Sequence, residues 1–309
     1  MNESTSAGKR GRVLEGGSGM IRQNVWLLGA MLVLAGCRNP IGTWNMEQRD
    51  PHPAPLFEGR IAEGDSAAIH AILLENGITD VPVRRVVRSS HSDGRVRSLY
   101  LVDDKDDFAY LNSAVLHVLP PEIGELGQLE SLFLANNKLD SLPSAIGGLG
   151  NLKFLSLGRN SLRTLPDAIG GLANLYLLEV VGNELETLPE SVGNLRALTD
   201  LVLGENNLVK LPDSICGLSN IRWLELISNE LVVLPDSIGR MTDLQKLSLS
   251  NNELTELPGS ILQIKGFRRS GGSVDLFGNR LCSLPDSIAD WASGTDSDWK
   301  VSQRCGQRR

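Results

Sequence analysis

The chain has 309 residues and a formal net charge of −7, and aromatic residues make up only 5% of it. Proteins that hold nucleic acid depend on basic surfaces that neutralise phosphate. An acidic, aromatic-poor chain is therefore a poor candidate for that role, and we expect no nucleic-acid partner.

An apolar run near the start of the chain predicts an export signal. The run from Val25 to Ala35 follows one basic residue and ends in Leu34-Ala35-Gly36-Cys37. It is too short for a membrane-spanning helix and meets small residues typical of a cleavage site, although a buried core segment is the alternative. The motif resembles the lipobox of bacterial lipoproteins. This resemblance implies a signal at residues 20–36, cleavage before Cys37 and a lipid on the Cys37 thiol.

Residues 1–19 are unusual in front of such a signal. The codons of Glu15-Gly16-Gly17 could form a purine-rich ribosome-binding site, so we expect translation to start at Met20. Loss of the whole signal region, residues 1–36, would remove four basic and two acidic residues and change the net charge from −7 to −9.

Residues 37–64 show no periodicity and contain four prolines, which indicates a lipidated tether. As a coil, this stretch would span roughly 30 Å. In lipoproteins of diderm bacteria, an aspartate after the lipidated cysteine commonly marks retention at the inner membrane. This chain has Arg38 there, so the resemblance favours an anchor in the outer membrane over the inner one.

Residues 65–94 are expected to cap the next domain. A helix is predicted to open at Asp65-Ser66, because Ile69, Ile72 and Leu73 have helical spacing and Gly77 is a stop signal. A first strand is predicted at residues 96–102.

Four aspartates, Asp103, Asp104, Asp106 and Asp107, follow that strand. They could hold Ca²⁺, but their spacing lacks the glycine turn and the terminal glutamate of a standard calcium loop. We therefore favour a solvated acidic loop, and we expect neither a metal site nor a cofactor.

The central feature of the chain is a repeat of 23 residues. Residues 129–143 read LESLFLANNKLDSLP, and the same frame returns five more times. A seventh copy, around Val274 and Asn279, follows after 27 residues. Such a period predicts a stacked solenoid whose units bury their apolar faces against their neighbours. The asparagines of the frame are Asn137, Asn160, Asn183, Asn206, Asn229, Asn252 and Asn279.

Each repeat is predicted to begin with a strand. In the first copy, alternation places Leu132 and Leu134 in the core and Phe133 outside. The asparagine follows at a turn, and its amide is expected to join a buried ladder that satisfies the loop backbones. Pro143 then suits the start of a short helical turn. Because this outer segment is wider than a strand, the stack should bend with its strands on the concave side.

The frame resembles the leucine-rich repeat superfamily, in the 23-residue class with LPxxIGxLxxL between the strands. This class is similar to the repeats of Scribble-type scaffold proteins and of plant intracellular Ras-group-related proteins. The resemblance covers residues 94–291 and implies an α/β solenoid, a curved arc with a parallel concave sheet that binds ligands. It does not imply a Ras-like partner. We assign residues 95–291 to the repeats and residues 292–309 to a C-terminal cap and tail.

The four cysteines have different expected roles. Cys37 is the lipid site. Cys282 and Cys305 are expected to form a disulfide across the C-terminal cap, which export would permit, although two unpaired thiols are the alternative. Cys216 replaces a glycine of the frame and is expected to be a small buried residue.

No catalytic constellation is visible in the sequence. The four histidines lie in the tether and the N-terminal region, and no pair has the spacing of metal ligands. We therefore expect no enzymatic activity. We also expect the chain to be a monomer.

The outward strand positions are the candidate binding residues, because the fold does not dictate them. Apolar and aromatic residues there are interleaved with acidic ones, which is typical of an interface. We therefore expect an envelope lipoprotein that binds a protein, preferably a basic segment, through these positions. An envelope glycan or peptidoglycan ligand and a purely structural spacer are the alternatives. The candidate residues are Phe133, Phe154, Leu177, Glu179, Val181, Asp200, Val202, Trp223, Glu225 and Ile227.

Overall fold

The structure is a computed structural model that describes residues 56–104, 108–109, 111, 114–268 and 272–305. Cys37, the signal region and the tether up to residue 55 lie outside this part of the chain, as do residues 105–107 of the acidic loop. Among the described residues, no helix has the length and apolar character needed to cross a membrane.

The described part begins with a cap of two helices and an antiparallel strand pair. Helices α1 and α2 and strands β1 and β2 span Glu63–Glu75, Val83–Val86, Val87–Ser90 and Val96–Tyr100. Helix α1 buries Ile69, Ile72 and Leu73, the residues whose spacing predicted it. Strand β1 was not predicted, because its four residues are too few and too mixed to show an alternation.

Asp65 ties this cap to the sheet. Its side chain is buried. The carboxylate accepts a hydrogen bond from the main-chain nitrogen of Val96 at 2.6 Å and forms an ion pair with the Arg95 guanidinium at 2.7 Å. A buried carboxylate of this kind is stable only when it is paired.

Among the described residues, strands β1 and β2 and the seven strands of the repeats form one open sheet, in which the strands of consecutive repeats are neighbours. From β2 onward the strands are parallel, and equivalent residues of consecutive repeats pair directly, such as Phe154 with Leu177. This arrangement confirms the predicted curved leucine-rich solenoid. Strands β5 to β11 span Ser131–Phe133, Phe154–Ser156, Leu177–Glu179, Asp200–Val202, Trp223–Glu225, Lys246–Ser248 and Ser273–Asp275. A separate pair, β3 (Asp103–Asp104) and β4 (Phe108–Ala109), lies in the segment between β2 and β5.

The predicted asparagine ladder is present, and all seven of its side chains are buried. Asn160 shows the pattern, which the other repeats follow. Its amide nitrogen donates to the carbonyls of Leu134 and Leu157 at 3.0 and 2.9 Å, and its carbonyl accepts from the Leu139 nitrogen at 3.0 Å. Each asparagine thus joins two successive repeats through groups that would otherwise be buried without partners.

The convex side consists of short 3-10 helices, most of which start directly after the repeat proline. Their glycines are needed for close stacking, since a Cβ on Gly147 would lie 2.4 Å from the Ala168 carbonyl oxygen. Cys216 occupies the equivalent position and is buried as expected, and the next 3-10 helix is shortened. The 3-10 helices span Pro121–Glu125, Ser144–Gly148, Asp167–Gly171, Glu190–Asn194, Asp213–Gly217, Ile238–Arg240, Gly259–Gln263 and Gly266–Arg268.

The C-terminal cap consists of helix α3 (Asp286–Thr295) and the tail that follows it. Helix α3 runs through the boundary between repeats and cap that the sequence suggested at residue 291. Cys282 and Cys305 form a disulfide bond with a Cα–Cα distance of 5.7 Å. This bond holds the tail against the last repeat, where Trp299 is buried.

Two side chains of the tail replace groups that a further repeat would supply. The Asp296 carboxylate accepts from the Leu276 nitrogen at 2.9 Å, where earlier repeats use a carbonyl of the next strand. The Gln303 amide accepts from the Leu281 nitrogen at 3.0 Å and donates to the Leu276 carbonyl at 3.1 Å. Asn279 makes the corresponding two contacts with the preceding repeat. Gln303 therefore terminates the asparagine ladder.

Candidate functional site

The outward side chains of the strands form two columns on the concave sheet. Neighbouring strands pair in register, so each column contains residues that are one repeat apart. All of the candidate strand residues fall in these columns, and Val181 and Ile227 follow just beyond strands β7 and β9. The first column contains Ser98, Ser131, Phe154, Leu177, Asp200, Trp223, Lys246 and Ser273. The second contains Tyr100, Phe133, Ser156, Glu179, Val202, Glu225, Ser248 and Asp275.

Aromatic side chains gather at the N-terminal end of the columns. Tyr100 and Phe133 stack with ring centroids 4.4 Å apart, and the Arg88 guanidinium lies 5.6 Å from the Tyr100 centroid. Phe154 is on the next strand, β6. We call Tyr100, Phe133 and Phe154 the aromatic shelf. All three are partly exposed, which leaves ring surface for a ligand.

Beside the shelf, Glu130 is the centre of an ion-pair network. The Arg97 guanidinium donates to both of its carboxylate oxygens at 2.9 Å, and the Lys153 ammonium donates at 2.9 Å. The hydrogen bonds from Arg97, with a smaller contribution from Lys153, lower the pKa of Glu130 to about 2. The negative charge of Glu130 is thus balanced by the positive charges of Arg97 and Lys153, and this network stabilises this end of the sheet.

The prediction that Leu177 and Val202 are exposed is wrong. Only 6% and 5% of their surfaces are accessible, because adjacent strands are so close that the neighbouring side chains in the same column cover them. Leu177 lies between Phe154 and Asp200, and Val202 lies between Glu179 and Glu225. These two residues support the surface from below rather than present themselves to a ligand.

Glu179 is folded down onto the preceding repeat. Its carboxylate accepts a short hydrogen bond from the Ser156 hydroxyl and lies directly over Gly158, where a Cβ would come within 2.3 Å of its Oε1. Burial raises the pKa of Glu179, while the Ser156 hydrogen bond and the charge of Arg159 oppose the rise.

Glu225 repeats this arrangement two strands further on. A Cβ on Gly204 would lie 3.0 Å from Glu225 Oε1 and 3.3 Å from the Val181 side chain. Burial, together with repulsion from Glu179 and Glu205, raises the pKa of Glu225 to about 7. Among the described residues, no basic side chain forms an ion pair with Glu225.

Beside these glutamates, the first column combines an acid, an aromatic ring and a base on three consecutive strands. Burial raises the pKa of Asp200, against the effects of the Thr199 hydroxyl, which donates to it at 2.6 Å, and of nearby Arg222 and Lys246. The Lys246 ammonium lies 5.6 Å from the centroid of the partly exposed Trp223 ring. Trp223 and Lys246 thus form a cation–π pair at the surface.

Sequence reasoning missed Tyr100 and a whole column at the margin of the sheet. This marginal column consists of the residue that precedes the first-column residue in each repeat. Its main-chain nitrogen donates to the previous repeat, as Lys153 does to the Glu130 carbonyl at 2.8 Å. Strict alternation excluded these positions, although the 23-residue period could have found them. Tyr176 is the most exposed aromatic among them, at 44%. The column contains Glu130, Lys153, Tyr176, Thr199, Arg222 and Gln245.

The described residues contain no group of three or more His, Cys, Asp or Glu side chains that could hold a metal ion. In that part of the chain, the acidic side chains of the sheet contact hydroxyl groups, bases and glycine backbone. The described face of the sheet thus presents rings, carboxylates and ammonium groups.

Models of the leucine-rich repeat family match residues 127–185, 174–231 and 243–264. The repeats that these models match carry the columns from Ser131 to Ser248. The chain is a leucine-rich repeat protein. No curated protein sequence matches it.

Several solved structures resemble this chain, and three of them are compared with it. A leucine-rich repeat protein of Leptospira interrogans is 29% identical, with a TM-score of 0.47, and the match covers 71% of this chain and 60% of that one. The PEPR1–AtPEP1 complex is 26% identical, with a TM-score of 0.58, over 72% of this chain and 32% of that one. A plant ice-binding protein shares the fold at 24% identity and a TM-score of 0.55, over 72% and 81% of the two chains. The chain thus spans less than two thirds of the first two proteins.

Proposed function

We propose that this chain is a lipid-anchored envelope protein that binds a protein partner through its concave sheet and performs no catalysis. The observation that carries the proposal is that the rings of Phe133, Phe154 and Trp223 are partly exposed on a sheet face that also carries charged side chains. Burying such rings against a partner is a strong source of affinity, and concave surfaces are the usual binding sites of solenoids.

The comparison with PEPR1 supports this reading. That structure is a complex, PEPR1–AtPEP1, formed by a protein with the same fold over 72% of this chain. Leucine-rich repeats commonly bind peptides or proteins, and the sheet of this chain offers both apolar and charged contacts to such a ligand.

The test of the binding proposal is a crosslinked pull-down from intact cells. The double variant Phe154→Glu/Trp223→Glu places charges on the concave sheet and should lose a partner that the wild type captures. Val209→Glu/Val233→Glu is the matched control, because both valines are exposed but lie outside the strands. Equal recovery from all three proteins would contradict the proposal and favour a spacer. Competition by soluble sugars would instead favour the glycan ligand.

The anchor is tested separately. The proposal rests on the sequence Leu34-Ala35-Gly36-Cys37. Cys37→Ser should abolish incorporation of labelled palmitate and move the protein out of the membrane fraction. The control, Cys216→Ser, changes a buried thiol in the repeats and should leave both properties unchanged. A Cys37→Ser protein that still carries the label would contradict the anchor.

A further inference from the structure

The concave sheet contains two similar niches, each made by a glutamate and a glycine of the preceding repeat. In the first, the Glu179 carboxylate occupies the space over Gly158, and in the second the Glu225 carboxylate lies beside Gly204. The residues one repeat after these two glycines are the larger Val181 and Ile227. We call these two sites the glutamate–glycine niches. A Cβ on Gly158 would displace the Glu179 carboxylate, and a Cβ on Gly204 would press against both Glu225 and Val181, so the niches depend on the pairing of the two residue types.

The niches are two strands apart on an apolar base. Val202 pairs with Glu179 on one side and with Glu225 on the other, so the two carboxylates flank it. Since parallel strands are about 4.8 Å apart, the niches are roughly 9.6 Å apart. An ammonium or guanidinium group on an aliphatic stem fits this combination, because its stem can cover apolar surface while its head meets the carboxylate.

The charged groups around the niches favour a cation overall. Glu205 lies close enough to Glu225 to repel it, and Glu179 does the same from across Val202. Asp200 is on the strand between them, and Arg222 and Lys246 act on Asp200.

Arg159 is the base that faces Glu179. Among the described residues, Glu225 has no corresponding cation within ion-pair distance. A basic ligand group would therefore relieve a repulsion that the chain itself leaves at Glu225.

We propose that the glutamate–glycine niches receive basic side chains of an extended partner segment, and that this segment binds more tightly as the pH rises through neutrality. The inference rests on the proposed function, since it names the kind of partner that the concave sheet binds. The pH effect follows because only ionised carboxylates attract the cations. The Glu225 pKa of about 7 places the ionisation of that carboxylate near neutral pH, and burial raises the pKa of Glu179 in the same direction.

The spacing of the niches suggests the spacing in the partner. A segment in the polyproline II conformation places residues i and i+3 on the same side, about 9.3 Å apart. A segment that crosses the strands in this conformation would put two basic residues, three positions apart, over the two niches.

The test uses a displayed library of short random peptides, selected on the full-length protein at about pH 8 and about pH 5.5. We expect the wild type to enrich peptides with lysine or arginine at the higher pH, and to lose this bias at the lower pH. The variant Glu179→Gln/Glu225→Gln should enrich peptides without the bias. A synthetic copy of an enriched peptide should bind this variant about tenfold or more weakly. Gly158→Ala, whose Cβ would lie 2.3 Å from Glu179 Oε1 and must shift that carboxylate without removing its charge, should weaken the same peptide.

The outcomes separate this inference from the proposed function. Peptides that bind the wild type without basic residues, or whose basic bias survives in the glutamine variant, would overturn the inference. If those peptides no longer bind Phe154→Glu/Trp223→Glu, the concave sheet remains the binding surface. Peptides that bind this double variant as well as the wild type would overturn the proposed function itself. Thermal unfolding of each variant establishes that it is folded.

Discussion

At the scale of single residues, the carboxylates of the concave sheet fall into two kinds. Glu130 is held by Arg97 and Lys153, which lower its pKa to about 2, so its charge contributes stability above its ordinary pKa. Glu225 is buried near other acids, and its pKa is raised to about 7. Its charge opposes folding at neutral pH. Glu225 lies on the concave face and lowers the stability of the folded chain. Its presence there is therefore better explained by binding than by folding.

The first prediction concerns Glu225→Gln. Between the ordinary glutamate pKa and about 7, the folded protein binds more protons at Glu225 than the unfolded chain does, so its contribution to stability falls as the pH rises. After allowance for partial exposure, the variant should be more stable than the wild type by about 1 kcal/mol at about pH 8 and nearly equal to it at about pH 4. Urea unfolding at the two pH values measures this difference. A variant that is less stable at the higher pH would contradict the raised pKa.

At the scale of elements, the repeats are joined by the asparagine ladder, and the second prediction tests it. Asn206→Ala removes an amide that donates to the Val180 and Leu203 carbonyls and accepts from the Leu185 nitrogen. Because these groups are buried and would be left without partners, the free energy of unfolding should fall by about 2–4 kcal/mol. The neighbouring Asn207 is exposed, and Asn207→Ala is the matched control. Equal effects of both changes would show that the ladder does not stabilise the stack.

The third prediction concerns the end of the ladder. Gln303→Ala should lower the free energy of unfolding by about 1–2 kcal/mol and speed hydrogen exchange at the Leu281 amide, which loses its acceptor. Val301→Ala is the control, since Val301 is 88% exposed. Unchanged exchange at Leu281 in Gln303→Ala would contradict the capping role.

Replacement of both Cys282 and Cys305 by serine should have a larger effect on the free energy of unfolding, about 3 kcal/mol, because the tail is then no longer held.

At the scale of the whole molecule, the sequence determined the features that repeat. A constant step of 23 residues predicts which leucines are buried, where the asparagines align and which strand positions face outward. It does so because every repeat packs against its neighbours in the same way. The prediction failed where neighbouring repeats interact through side chains that differ. The burial of Leu177 and Val202 depends on the size of the residues beside them, which a single repeat does not contain.

The ends of the solenoid were predicted only in outline for a related reason. Asp296 and Gln303 take over contacts of a missing repeat from a tail that has no repeat pattern. Likewise, the glutamate–glycine niches depend on two columns considered together, since neither Glu225 nor Gly204 is unusual alone. Such features are visible only when the register between strands is known.

The most direct test of the account places a photoreactive side chain at one position at a time. With the probe at Trp223, on the concave sheet, irradiation of intact cells should give a covalent adduct with a protein partner. With the probe at Val232, which is exposed but outside the strands, no such adduct should form. An adduct at Val232 and none at Trp223 would contradict the central claim that the concave sheet is the binding surface.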